Sequence, residues 1–459
     1  MSLAPAPIAS SPASDAPAAW APGPADLAAL QAAGIPAALH LFPPSAQAAW
    51  ARLAALKPAS YARSRNALDG AVSGLSPYFA HGLIEPGAAL AALAARHRLG
   101  YEDKLVFEFG WRAFFHHVRA RRGDAILDTL RPEGLPAGPA AYRARLPEDV
   151  LEARSGVPAI DQAVRVLYAS GYLHNHARMW LASYLVHLRK VDWRVAADWL
   201  YGHLLDGDLA CNHLSWQWVA GSFSSKPYLF NADNVARYAP AAAARAWRSA
   251  GTLIDRSYEA LEQLARQGRA SGPEPGAHPA VEPPALRAEP SAEILAGLRR
   301  LDDLAELGPA TAALDLVHPW ALGEPPVGDR PQRLGLLHLP AHAARPWSAR
   351  RWAWVLARMA AVCDRVWIGD AAPLLQSLRA QGRPLRAAPA PESGYARLLA
   401  GLAAPSAPPP LFADPAGSCT SFSRWYAQSQ ALAPHLEDRL RPWAAAGAAG
   451  LGTLSLFPG

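Results

Sequence analysis

From residue 46 to 268, apolar residues recur at three- and four-residue spacing almost without interruption. That period commits the segment to helices rather than strands. "AQAAWARLAAL", "GAALAALAARHRL", "KLVFEFGWRAFFHHVRAR", "AIDQAVRVLYAS", "HNHARMWLASYLVHLRK" and "WRVAADWLYGHLL" all carry it, with Pro158 and Gly171 punctuating the run as helix breakers. The flanks differ. Residues 1–45 are Ala/Pro-rich and read as a low-complexity, mostly disordered segment with one short helix at "ADLAALQAAG". Residues 269–292 carry prolines that deny helix, which predicts a semi-rigid linker with no core to dock into. Beyond it, over 293–459, "RLGLLHLP" and "DRVWIGD" read as short buried strands, and "SARRWAWVLARMAAVC" and "APLLQSLRAQ" as helices. The expected fold class is therefore mainly α: an all-helical domain, a proline-rich linker, and a small α/β domain with a parallel sheet and no assigned role.

A chain of 459 residues has room for two or three domains and a large core. The net charge of +6 admits a polyanionic partner without requiring one. Cys211, Cys363 and Cys419 lie far apart with no CxxC, which excludes a disulfide framework and a zinc site and points to a reducing cytoplasm. No apolar run of about 18 residues is present, so no membrane span is expected. The N-terminus has no basic region of the signal-peptide kind.

Three stretches carry chemistry. On a helix, Glu108, Trp111, Arg112 and Phe115 share one face. By itself that face is most simply an aromatic core stripe with Glu108 and Arg112 paired. Asn175, Arg178, Met179 and Ala182 share a second face, while His174 and His176 diverge and do not suit one metal. The third stretch is "DGDLACNHLSWQW", residues 206–218. A calcium loop fails there, because Ala210, Cys211 and Gln217 stand where a ligand, a glycine and a glutamate are needed. Asp206 and Asp208 could serve as a glycosidase pair, but no sugar-binding loop accompanies them. What remains is a pair of acceptors for a polar ligand, with an arginine nearby to hold one ionised.

Together, "YARSRNALDGAVSGLSPYFAHGLIEP", "KLVFEFGWRAFFHHV", "SGVPAIDQAVRVLYASGY" and "GYLHNHARMW…VDWRVAADWLYGHLLDGDLACNHLSWQW" resemble the FAD-binding helical domain of the DNA photolyase/cryptochrome family. The resemblance covers roughly residues 50–240 and leans towards the cyclobutane pyrimidine dimer photolyases. It implies a cofactor, FAD, held by Tyr61, Ser73, Leu75 and Ser76 on the diphosphate side, with Val72 and Gly74 replacing a threonine and an arginine. Arg112, Asn175, Arg178, Asp206, Asp208 and Asn212 complete the implied cofactor set. Asn212 matches the residue facing flavin N5. Glu108, Trp111, Asn175, Met179 and Trp218 match the catalytic pocket for a flipped-out dimer, with His176 and Tyr172 replacing an arginine and a tryptophan.

Trp216 and Trp193 match the first two rings of the electron-transfer chain, while the third position falls at about Ala140. The implied function is light-driven electron transfer from reduced FAD to a pyrimidine dimer in damaged duplex or single-stranded DNA, by a monomeric lyase without a metal. A cryptochrome-like light sensor that binds FAD without repair is the alternative. No counterpart of the family's N-terminal antenna domain is expected, and the second antenna chromophore is unassigned.

Overall fold

A computed structural model describes residues 19–275, 278–325, 331–405 and 410–452. The apolar period is realised as helices α1 (Pro24–Ala32), α2 (Ala46–Ala55), α3 (Pro58–Ser64), α4 (Ser76–Ala80), α5 (Pro86–Ala94), α6 (Lys104–Arg122), α7 (Pro158–Ser170), α8 (Asn175–Ser183), α9 (Trp193–His203) and α10 (Leu209–Ala220). α7 stops at Gly171, whose φ of 66° is left-handed and favours glycine. The centre of the body is dry: Val164, Leu167, Trp180 and Leu181 are all 0% exposed.

Among the described residues the α/β unit has six strands: β1 (Leu286–Arg287), β2 (Leu314–Val317), β3 (Gln332–His338), β4 (Trp347–Ser348), β5 (Arg365–Gly369) and β6 (Leu385–Ala387). β1 and β4 form an antiparallel pair, and the others form a parallel sheet in the order β5-β3-β2-β6. Helices α11 (Ala349–Val362) and α12 (Ala371–Ala380) make the crossovers. Leu334, Leu336 and Leu337 of β3 are fully buried, as in a strand covered on both faces. β2 and β6 span only four and three residues, too short to show a period in the sequence.

Three expectations are corrected. Residues 1–18 lie outside the described residues, but 19–45 are not loose. Leu30, Ile35 and Phe42 are buried, and the Ala33 carbonyl accepts from Trp247 Nε1 at 2.8 Å. Described residues between 271 and 281 of the 269–292 segment dock on the helical body. Ser271 N donates to Leu188 O, Glu274 N to Ser155 O and Val281 N to Glu152 O, at 2.8–2.9 Å. His278 meets buried Asp161 at 3.0 Å. Prolines forbid a helix there but leave the intervening backbone groups free to bond.

The third correction concerns residues 410–452, which leave the α/β unit and return to the helices as α13 (Phe422–Leu432) and α14 (Ala444–Gly452). α14 approaches α2 closely, since a Cβ on Gly450 would lie 2.1 Å from the Trp50 ring. Its sequence, "AAAGAAGLG", carries no apolar stripe to betray this packing. No helix among the described residues is long and apolar enough to cross a membrane.

Candidate functional site

The short loop between α9 and α10 places two carboxylates. Asp208 is the N-cap of α10, one oxygen accepting from Cys211 N at 2.8 Å. Its other oxygen accepts from Arg112 at 3.0 Å and lies 2.9 Å from His116 Nε2, both on α6. Burial works to raise this carboxyl, but His116 and Arg112 hold it well below the usual carboxylate range. Asp206 accepts both its bonds from Arg178 Nη2, at 2.9 and 2.8 Å. Arg178 Nε donates to Leu173 O at 2.7 Å, and the guanidinium lies 5.2 Å from the centre of the Tyr172 ring.

Apart from His116, these groups line one cleft, with an empty volume of about 1270 Å³, mouth included. Tyr61, Ser73 and Ser76 supply hydroxyls on one side. The Asn212 amide nitrogen is spent on Ala197 O at 2.9 Å, which leaves its oxygen as the acceptor for a ligand. Glu108, Asn175 and Met179 lie on the same cleft, the Asn175 amide 3.5 Å from the Met179 sulfur. Burial raises the Glu108 carboxyl against the pull of Arg65, 3.5 Å away. Trp216 lines the cleft and is 2% exposed, and Trp193 is buried in the same core with its indole N–H on Thr129 at 2.9 Å.

Three sequence-derived residues fall elsewhere. Leu75 does not line the cleft. Its side chain is 0% exposed in the core, and its backbone caps α4. Trp111 and Trp218 line a second cleft, together with Arg122, Arg131 and Lys226. There the Trp111 ring is stacked on Phe422 of α13, centroids 4.1 Å apart and planes within 9°. Trp218 is tilted against Tyr228 at 6.0 Å.

His116 and Arg65 were not singled out from the sequence. His116 stands four residues after Arg112, so the helical period alone could have put it on the Asp208 face. Arg65 lies on a loop and carries no such signal. His116, Asp208 and Cys211 bring three potential ligand atoms within 4.8 Å of one another. The trio does not suit a metal, because the Arg112 guanidinium already occupies Asp208, and burial together with Asp208 pushes the Cys211 thiol well above its usual range. It reads as a rigid polar wall.

Residues 105–276 match a family model described as the FAD binding domain of DNA photolyase. A deoxyribodipyrimidine photo-lyase of Streptomyces griseus is 37% identical over 169 residues, covering 36% of this chain and 35% of that protein. A Thermus thermophilus protein of the same name is 38% identical over 201 residues, 41% of this chain and 46% of that one. A chloroplastic/mitochondrial cryptochrome DASH of Ostreococcus tauri is 31% identical over 194 residues, 40% and 35% of the two chains. The chain thus spans less than half the length of each of these relatives. Over residues 105–276 the helical body is similar to an FAD-binding domain of the photolyase kind, and the residues of the cleft fit such a ligand: hydroxyls for phosphate, a carboxylate-held guanidinium, a free amide oxygen and apolar walls.

Proposed function

We propose that this photolyase-type domain holds FAD in the cleft and repairs cyclobutane pyrimidine dimers in DNA. When bound and reduced, FAD supplies a light-driven electron to the dimer. The chain's own residues do the rest. Arg178, fixed by Asp206, offers positive charge to the ring system, while Asp206 and Asp208 keep the local charge balanced. Glu108, held beside Arg65 on the same cleft, would face the edge of a pyrimidine bound there and can accept a hydrogen bond from its ring N–H. Trp193 and Trp216 supply oxidisable rings in the core beside the cleft.

The second cleft supports a DNA partner. Arg122, Arg131 and Lys226 suit phosphates, and the Trp218 indole suits a splayed base. Three free cysteines fit a cytoplasmic setting. We take the chain to act as a monomer: among the described residues, few large apolar side chains are left exposed, namely Leu27, Leu41, Tyr258 and Leu432.

The observation that carries this reading is the convergence of Arg178–Asp206, Arg112–Asp208, Asn212 and Glu108 on one cleft. One observation favours a cryptochrome-like sensor instead: Phe422 already covers the ring face of Trp111 that a base would use. The test is repair of dimer-containing DNA under blue light by pre-reduced protein. Restoration of pyrimidines supports repair, whereas full FAD occupancy without restoration supports the sensor. Trp218→Ala is expected to weaken dimer-DNA binding by about 1–3 kcal/mol, as for a lost stacking partner, with FAD retained. Unchanged DNA affinity in a gel-shift titration would remove Trp218 from the substrate site.

A further inference from the structure

The α/β unit reaches into the cofactor loop. Arg351, on α11, is 0% exposed. Its Nη2 donates to Gly207 O at 2.8 Å, and its Nη1 donates to Tyr201 O. The guanidinium lies between two rings, 4.5 Å from the Tyr201 centroid and 4.1 Å from that of Trp347. No carboxylate pairs with it among the described residues, and its Nε has no acceptor. A buried cation satisfied only by two carbonyls and two ring faces is costly to build. What it holds is the backbone between Asp206 and Asp208. Gly207 is matched to it: a Cβ there would fall 2.3 Å from Arg351 Nη1 and 2.8 Å from Tyr201 O.

A second tie runs beside the first. His81 places one ring nitrogen 2.9 Å from Leu205 O and the other 2.6 Å from Pro319 O; as a neutral ring it donates to one of these carbonyls and packs against the other, wedged between the same loop and the segment following β2. Leu205 N in turn donates to Gly171 O at 2.7 Å. The loop that aims Asp206 at Arg178 and Asp208 at Arg112 is therefore anchored from the α/β side as well as from the helical body.

We propose that Arg351 is a positioning residue for FAD, and that the α/β unit is a structural part of the cofactor site. The proposal rests on the reading that the cleft binds FAD. Holding the Gly207 carbonyl sets the direction of the two flanking carboxylates, and an unheld loop lets both drift from their arginines.

The experiment uses the whole chain. Wild type, Arg351→Met and Arg351→Lys are titrated with FAD, and the fine structure of the bound flavin's visible absorption and the melting temperature are recorded. Arg351→Met is expected to weaken FAD binding by about tenfold or more, the usual scale for loss of a supporting partner behind a ligand shell, and to blur the bound flavin's fine structure. Arg351→Lys, whose ammonium can still reach one carbonyl, is expected to restore part of both. If Arg351→Met does not fold, Gly207→Ala is measured in its place, since its Cβ displaces the guanidinium, and the same loss is expected. A folded variant that melts lower but binds FAD as wild type does, with an unchanged flavin spectrum, overturns this inference alone. Failure of the wild type to take up FAD overturns it together with the reading of the cleft.

Discussion

Acidification from about pH 7 to about pH 5 is expected to unfold the protein, through histidines buried in their neutral form. Burial is the leading cause in each case. It pushes His40, His174, His203 and His342 down to about 3, and His81, His187 and His318 down to about 4. All seven are at most 3% exposed, so solvent screens them little. In the unfolded chain a histidine titrates near about 6.5, so below that value the unfolded state binds protons that the folded state refuses. Stability is therefore full above about pH 6.5 and falls as the pH drops towards the folded values. Each group removes on the order of 1 kcal/mol per pH unit, and seven together approach the whole stability of a typical domain, about 5–15 kcal/mol. Urea unfolding followed by tryptophan fluorescence at several pH values checks this. A midpoint that does not move between about pH 7 and about pH 5 would show that these rings are hydrated or charged in the folded state.

The second large effect is expected from Asp206→Ala. The Asp206 side chain is 4% exposed and that of Arg178 is 23% exposed, so the substitution leaves a mostly buried guanidinium with only the Leu173 carbonyl and the Tyr172 ring face as described partners. Removing one partner of such a pair costs about 3 kcal/mol, the lower end of the usual range because Arg178 keeps some water. FAD affinity falls as well, because the charge that faces the ligand is no longer fixed. Asp206→Asn, which keeps one acceptor for Arg178, is expected to lose less of both. Chemical denaturation in the absence of FAD, followed by FAD titration, separates the two losses. A stability change under about 1 kcal/mol would mean that the pair acts as an exposed surface bridge.

The helical body was legible because its apolar period is long and regular, and α6 and α8 form where that period required. On α6, however, Trp111 leaves the cleft that Glu108 and Arg112 line, and Glu108 and Arg112 pair with Arg65 and Asp208 rather than with each other. The site itself was not legible from period. Arg112 and Asp208 are 96 positions apart, and no local spacing links them, so the resemblance brought them together before the fold did. Residues outside that resemblance stayed dark. Phe422 reaches Trp111 from a segment that follows the α/β unit, and Arg351 reaches Gly207 from within it.

Gly74 teaches a different lesson. Read alone, it is the loss of an arginine. In the fold its φ is +58°, and a Cβ there would fall 2.5 Å from Arg52 Nη1. A guanidinium thus stands against Gly74 from another helix with its Nη1, while its Nη2 donates to the carbonyls of Ala38 and Leu41. The proline-rich segment at 269–292 misled because composition reports what a segment cannot form, and says little about what it can dock against.

Binding of FAD in the cleft between α6, α8 and α10 is tested most directly by titration of the purified chain with FAD, followed by visible absorption. Saturable, non-covalent uptake approaching one flavin per chain is expected, with sharpened fine structure on binding and release on denaturation. A chain that folds, yet stays colourless after incubation with FAD, would contradict the cofactor assignment and every role given to Arg178, Asp206, Asp208 and Asn212.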